Sequence, residues 1–155
     1  MTVDTMGVRI NRRGLGVVGV AGDEVVFHDT RHLASARARA VEAAHRYILG
    51  LVERLKPSHV AFHAPTTKES VTRQITGTLT DALHARGVLV SLVDKSTLFT
   101  SMSATRVRHR REVSEVVLDI WPMYRAMTGG LRGHLADAVA TALYAETNVA
   151  LRSPP

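Results

Sequence analysis

Three short apolar runs open the chain, Gly7-Val8-Arg9-Ile10, then Gly14 to Val20, then Glu24 to His28, with polar turn residues between them. Short apolar runs bounded by Gly, Asn and Asp are strand signals. Asn11-Arg12-Arg13-Gly14 and Ala21-Gly22-Asp23 offer the backbone freedom that tight hairpins need, so the pattern predicts an antiparallel three-stranded meander. From Ser35 the period lengthens: Val41, Ala44, Ile48, Leu51 and Leu55 recur at steps of three and four, which predicts an amphipathic helix ending before Pro57. Ser58 to His63 reads as a buried strand that Pro65 stops. Helical spacing returns over 69–86 through Val71, Ile75, Leu79 and Leu83, and Gly87 terminates it. Val88 to Val93, rich in β-branched residues and bounded by Asp94, is a fifth strand.

Beyond Asp94 the pattern weakens. Lys95 to Arg111 is basic and polar, the reading expected of a loop or short helix lying over an anion. Val113, Val116, Val117, Ile120 and Trp121 form another helix, broken or kinked at Pro122. Gly129-Gly130 links it to a last, alanine-rich helix from Gly133 to Tyr144, and Ser153-Pro154-Pro155 is a tail. Strand and helix alternating after a meander predict an α/β domain: a mixed five-stranded sheet, the three-stranded antiparallel meander plus two parallel strands, flanked by helices. The expected organisation is an N-terminal tail over 1–5, one domain over 6–147 and a flexible C-terminal tail over 148–155. The glycines at 14, 16 and 19 are followed by another strand rather than a helix, so they do not make a dinucleotide fingerprint.

The composition narrows the function classes. At 155 residues and 45% hydrophobic, the chain suits one ordinary domain. It has no cysteine, which excludes disulfides, zinc fingers and thiol catalysis, and a cytoplasmic location is expected. No apolar run approaches the roughly 20 residues that span a bilayer, so no membrane partner is expected. Twenty Lys and Arg against fourteen Asp and Glu leave a formal charge of +6, mostly arginine. Such a surface favours polyanions, with nucleic acid first among them, because the guanidinium fork matches phosphate.

The last helix holds His134 and Asp137, three residues apart and so on one face, among small side chains that allow close approach to a sheet. Together with Lys56-Pro57-Ser58-His59-Val60-Ala61-Phe62, Thr72-Arg73-Gln74-Ile75-Thr76-Gly77, Gly87-Val88-Leu89-Val90 and Lys95, this helix resembles the RuvC family of Holliday junction resolvases, which have a ribonuclease H-like fold. The resemblance runs from about Met6 to Glu146. It implies a metal-dependent endodeoxyribonuclease of DNA recombination and repair, acting on branched DNA as a homodimer. In that family an Asp on the first strand, a Glu at the end of the fourth and a pair on the last helix hold two divalent ions, magnesium or manganese. Such ions activate water and stabilise the leaving oxygen.

Carried over by position, the resemblance places the four ligands at Asn11, His63, His134 and Asp137. Two carboxylates are thereby replaced, by Asn11 and His63, and Asp137 alone keeps a formal negative charge. Two magnesium ions are poorly served by such a set. The expected function is therefore a RuvC-like protein that recognises branched or bent DNA, with an impaired or remodelled cleavage centre, in effect a pseudoenzyme. An active junction endonuclease using the altered set Asn11, His63, His134 and Asp137 stands beside it, with His63, His134 and Asp137 suited to a single transition metal. Each residue also has a plainer reading: Asn11 as a hairpin turn residue, His63 as a strand-end histidine bonded locally, and the His134/Asp137 pair as an ordinary first helical turn. Arg12, Arg13, Lys95, Arg106, Arg108, Arg110 and Arg111 are the expected nucleic-acid contacts, against a reading as solvated surface.

Overall fold

The computed structural model describes residues 2–11, 14–22, 24–65 and 70–94, and, from the last helix, Ala138, Val139, Thr141, Ala142 and Ala145. The elements run β1 (Thr5–Ile10), β2 (Gly14–Ala21), β3 (Glu24–His32), α1 (Arg37–Leu55), β4 (His59–His63), α2 (Ser70–Ala85) and β5 (Leu89–Val93). They form the mixed sheet that the sequence predicts, in the order β3-β2-β1-β4-β5, with the meander antiparallel and β4 and β5 parallel to β1. No helix among the described residues is long and apolar enough to cross a membrane.

Pairing divides the sheet into two faces, because successive side chains point to opposite sides and paired residues share a side. Met6, Val8 and Ile10 of β1, Leu15 and Val17 of β2, and Val60 and Phe62 of β4 join Ala44, Ile48, Leu51, Val52 and Leu55 of α1 and Ile75, Leu79 and Leu83 of α2 in one core. The opposite face carries Thr5, Gly7 and Arg9 with Val18, Val20, His59 and Ala61. The helical residues Ala138, Val139, Thr141, Ala142 and Ala145 are buried, and Gly7 marks where they meet this second face. A Cβ on Gly7 would stand 2.1 Å from the Ala138 carbonyl oxygen and 2.8 Å from Ala142 Cβ. No residue with a side chain fits there.

Several boundaries differ from the hydrophobic pattern. β1 begins at Thr5, and Val3 and Thr5, within the segment assigned to an N-terminal tail, are buried. Asp4 anchors this end: its backbone N–H donates to Val20 O, and its Oδ2 accepts from the N–H of Gly22, which turns at φ 64°. β3 continues past His28 to His32, since its ladder with β2 persists to the pair Gly14 and His32 although the residues become polar. Polar residues suit an edge strand wetted on one side. Asp29 on this extension accepts from the Tyr47 hydroxyl of α1 and from Arg31 Nε at 3.1 Å, while Arg31 also lies 4.7 Å over the Tyr47 ring. Burial, then the Asp29 contact, raises the Tyr47 phenol far above the ordinary tyrosine range.

α1 begins at Arg37 rather than Ser35, with no side chain capping it, and ends at Leu55; Lys56 closes it by adopting a left-handed φ of 49° and donating its N–H to Val52 O. Arg86 Nη1 to Glu53 Oε1 at 3.3 Å and Arg37 Nη2 to Ser70 Oγ at 2.6 Å tie α1 to the α2 segment. Between the helices, His45 Nε2 meets Thr78 Oγ1, and burial draws the imidazole below the ordinary histidine value.

Two outcomes follow from this packing. Gly7→Ala is expected to cost about 3 kcal/mol or more through overpacking against the last helix. Gly50→Ala, in the middle of α1 with nothing within 4 Å of the added Cβ, is expected to gain about 0.5–1 kcal/mol. Urea midpoints measure both, and a neutral Gly7→Ala would refute the close docking. Because His45 is harder to protonate folded than unfolded, the unfolded chain takes up that proton first. Its contribution to stability is complete above about pH 6.5 and is lost as pH falls below it, until the folded ring also protonates. Thermal midpoints of His45→Gln should depend less on pH in that window, and an unchanged dependence would contradict this.

Candidate functional site

The C-terminal ends of β1 and β4 lie side by side near the middle of the sheet, the kind of position where open α/β sheets build sites. In the parallel register Val8 pairs with Phe62, so the next step sets Arg9 beside His63. Both belong to the face that carries Gly7 and Ala61, the face on which Ala138 and Ala142 dock. Both are buried, at 7% exposure each. On the other side of Arg9 its β2 partner is Gly16, which has no side chain, and Gly16 in turn pairs with Thr30 of β3. The row across this face thus reads Thr30, Gly16, Arg9, His63 and, on β5, Val93.

Arg9 is the residue that the pattern of the sequence missed. It stands within an apolar strand run, and a charge there is the signal that could have revealed it, two residues from the glycine that admits the last helix. Its Nη1 donates to the Ile10 carbonyl at 2.9 Å, which fixes one edge of the guanidinium. A guanidinium stays protonated at any pH a protein survives.

Asn11, one residue beyond β1, closes the first hairpin. Its backbone N–H donates to Gly14 O at 2.9 Å and its Oδ1 accepts from Gly14 N–H at 3.2 Å, so the turn role expected of it is present in the geometry. His63 ends β4, and Ala64 N–H continues the ladder to Val93 O at 2.8 Å. Two pleats earlier on the same face, His59 Nε2 lies 2.7 Å from Ser91 Oγ of β5. Asp4 belongs to the opposite end of β1 from Asn11. The structure therefore brings Asn11 and His63 to the ends of neighbouring strands. His134, Asp137, Arg12, Arg13, Lys95, Arg106, Arg108, Arg110 and Arg111 lie outside the described residues.

The described side chains can be tested against the divalent ions that the resemblance implies. Magnesium takes carboxylate and water oxygens. The ends of β1 and β4 offer a guanidinium, an imidazole and a carboxamide whose oxygen already accepts a backbone N–H. Among the described residues no three His, Asp or Glu side chains gather to hold a metal. These residues do not fit a two-magnesium centre. An open groove lined by Pro65, Arg73, Gly77, Thr78 and Leu92 lies on the α2 side, across the sheet from Arg9.

No protein-family model matches the chain, and no curated protein does. Solved structures do. The chain is similar to T. thermophilus RuvC in complex with a Holliday junction substrate, with a TM-score of 0.77 and 20% identity over 98% of this chain and 97% of that one. A second Thermus thermophilus RuvC structure gives 0.73 and 22% identity over 93% and 96%. The yeast mitochondrial Holliday junction resolvase gives 0.72 and 8% identity over 97% and 82%. The chain has the RuvC-type, ribonuclease H-like fold that its sequence predicts.

Asn11→Ala, by removing the acceptor for Gly14 N–H, is expected to lower stability by about 1 kcal/mol. Denaturant titration measures it, and no loss would show the side-chain bond to be idle.

Proposed function

We propose that this chain recognises branched DNA of the Holliday junction type through backbone charge and shape, with a cleavage centre remodelled away from two-metal chemistry. The observation that carries this reading is the pairing of a RuvC-type fold, spanning nearly the whole chain, with a buried Arg9 at the end of the strand on which the last helix docks. Two of the similar proteins, T. thermophilus RuvC and the fowlpox virus resolvase, were solved with Holliday junction DNA. The formal charge of +6 suits the same partner. In this proposal Arg12, Arg13, Lys95, Arg106, Arg108, Arg110 and Arg111 contact phosphates, which positions the duplex arms without reading bases. A homodimer would match the symmetry of a four-way junction. Recombination and repair in the cytoplasm are the setting.

A second reading has one observation of its own, the buried His63 at the end of β4. In it Asn11, His63, His134 and Asp137 hold a single metal, manganese or a transition ion, and the chain cleaves the junction.

A labelled four-way junction separates the two. Salt-dependent binding with no incision in magnesium or manganese is expected, and Arg108→Ala with Arg110→Ala should weaken it on every sequence and flatten its salt dependence. Paired, metal-dependent incisions that vanish in Asp137→Ala would overturn the remodelled-centre reading in favour of the second.

A further inference from the structure

α2 buries Thr72, Ile75, Thr76, Leu79 and Leu83 and leaves Gln74, Gly77, Thr78 and Asp81 exposed. Those four recur at steps of three, one and three, so they form a single stripe along the helix. The stripe lines the open groove, whose wall is mostly apolar, together with Pro65 and Leu92. Leu92, at 59% exposure, and Leu89 are the exposed large hydrophobics among the described residues, and both belong to the edge strand β5. Gly77 stands in the interior of α2, where glycine weakens a helix, and nothing lies within 4 Å of the place its Cβ would take. Gly7 makes room for the last helix, whereas no contact within the described residues uses the room at Gly77. Gly50 of α1 is equally open but does not line the groove.

A glycine on an exposed helix face lets a second helix approach closely. The stripe is also complementary to itself. Two α2 helices running antiparallel about a two-fold axis between Gly77 and Thr78 set Gly77 against the partner's Thr78 and Gln74 against the partner's Asp81, and the symmetry makes each contact twice. The Asp81 carboxylate is exposed and engages no described residue. The Gln74 amide carries N–H donors that suit it in a charge-assisted hydrogen bond. Thr78 keeps its hydroxyl within its own helix, donating to Gln74 O at 2.9 Å. Positions spaced in this way form the seam of a shallow helix crossing, which keeps both pairs in reach. We propose that the α2 stripe is the surface on which a second copy of this chain docks, helix against helix, crossing at Gly77. This rests on the homodimer of the reading above and assigns its interface.

Sedimentation equilibrium of the full chain, without DNA, measures the dimer constant. Wild type should dimerise, and Gly77→Leu should weaken the dimer at least about tenfold, because a leucine at the crossing holds the helices apart. Gly50→Leu, equally open within the chain, should leave the constant unchanged within about twofold. Asp81→Lys should weaken the dimer, and adding Gln74→Glu to it should restore the constant, since the two positions face each other across the axis and lie two turns apart in one chain. Circular dichroism and unfolding midpoints establish that each variant is folded. A folded Gly77→Leu protein that dimerises like wild type would overturn the proposal while leaving the homodimer intact. So would a loss of the same size in Gly50→Leu, or an Asp81→Lys defect that Gln74→Glu does not repair. A wild-type chain that stays monomeric at every concentration would sink the homodimer and this interface with it. If Gly77→Leu then lowered affinity for a labelled four-way junction, the groove would belong to DNA instead.

Discussion

Gly7 has no side chain, and backbone atoms of the last helix stand where one would be. The Ala138 carbonyl oxygen and the Ala142 nitrogen lie 2.1 and 2.9 Å from the position a Cβ would take. That contact fixes how the chain is layered. α1 and α2 cover one face of the sheet with Leu, Ile and Val, at the distances such side chains impose. The other face accepts a helix at backbone contact distance only because β1 presents Gly7 and the helix presents alanines. Helix and strand are thereby locked in position along β1, and everything on that face is arranged around the lock.

Arg9 is the chief consequence. It follows Gly7 by one pleat, so the same alternation that opens the face to the helix delivers the guanidinium to it, between Gly16 and His63. The contact at Gly7 brings the last helix to this same face. Here the ends of β1 and β4 bring a guanidinium, an imidazole and a carboxamide. None of the three is the carboxylate oxygen that a hard divalent ion prefers.

The sequence makes the architecture legible where one physical rule dominates. Steps of three and four in Val41, Ala44, Ile48, Leu51 and Leu55 specify α1, and Pro57 and Gly87 mark where helices stop. β3 is longer than its apolar run because partner hydrogen bonds, which hydropathy does not record, carry it to His32. Of the candidate site, Asn11 and His63 lie at adjoining strand ends, and Asn11 fills the turn role its type suggests. Arg9 was hidden for a plain reason. In sequence it is one polar letter in an apolar run, and only strand register tells which face it joins and what stands beside it. The alanine pattern of the last helix, by contrast, announced close packing, and Gly7 supplies the surface it needs.

The most direct measurement is a crystal structure of the chain bound to a four-way junction and grown in manganese, with anomalous scattering recorded. Junction DNA bound to the chain, with no manganese peak at the ends of β1 and β4, is the expected result. A manganese ion bound between His63 and the DNA backbone would contradict a cleavage centre remodelled away from two-metal chemistry.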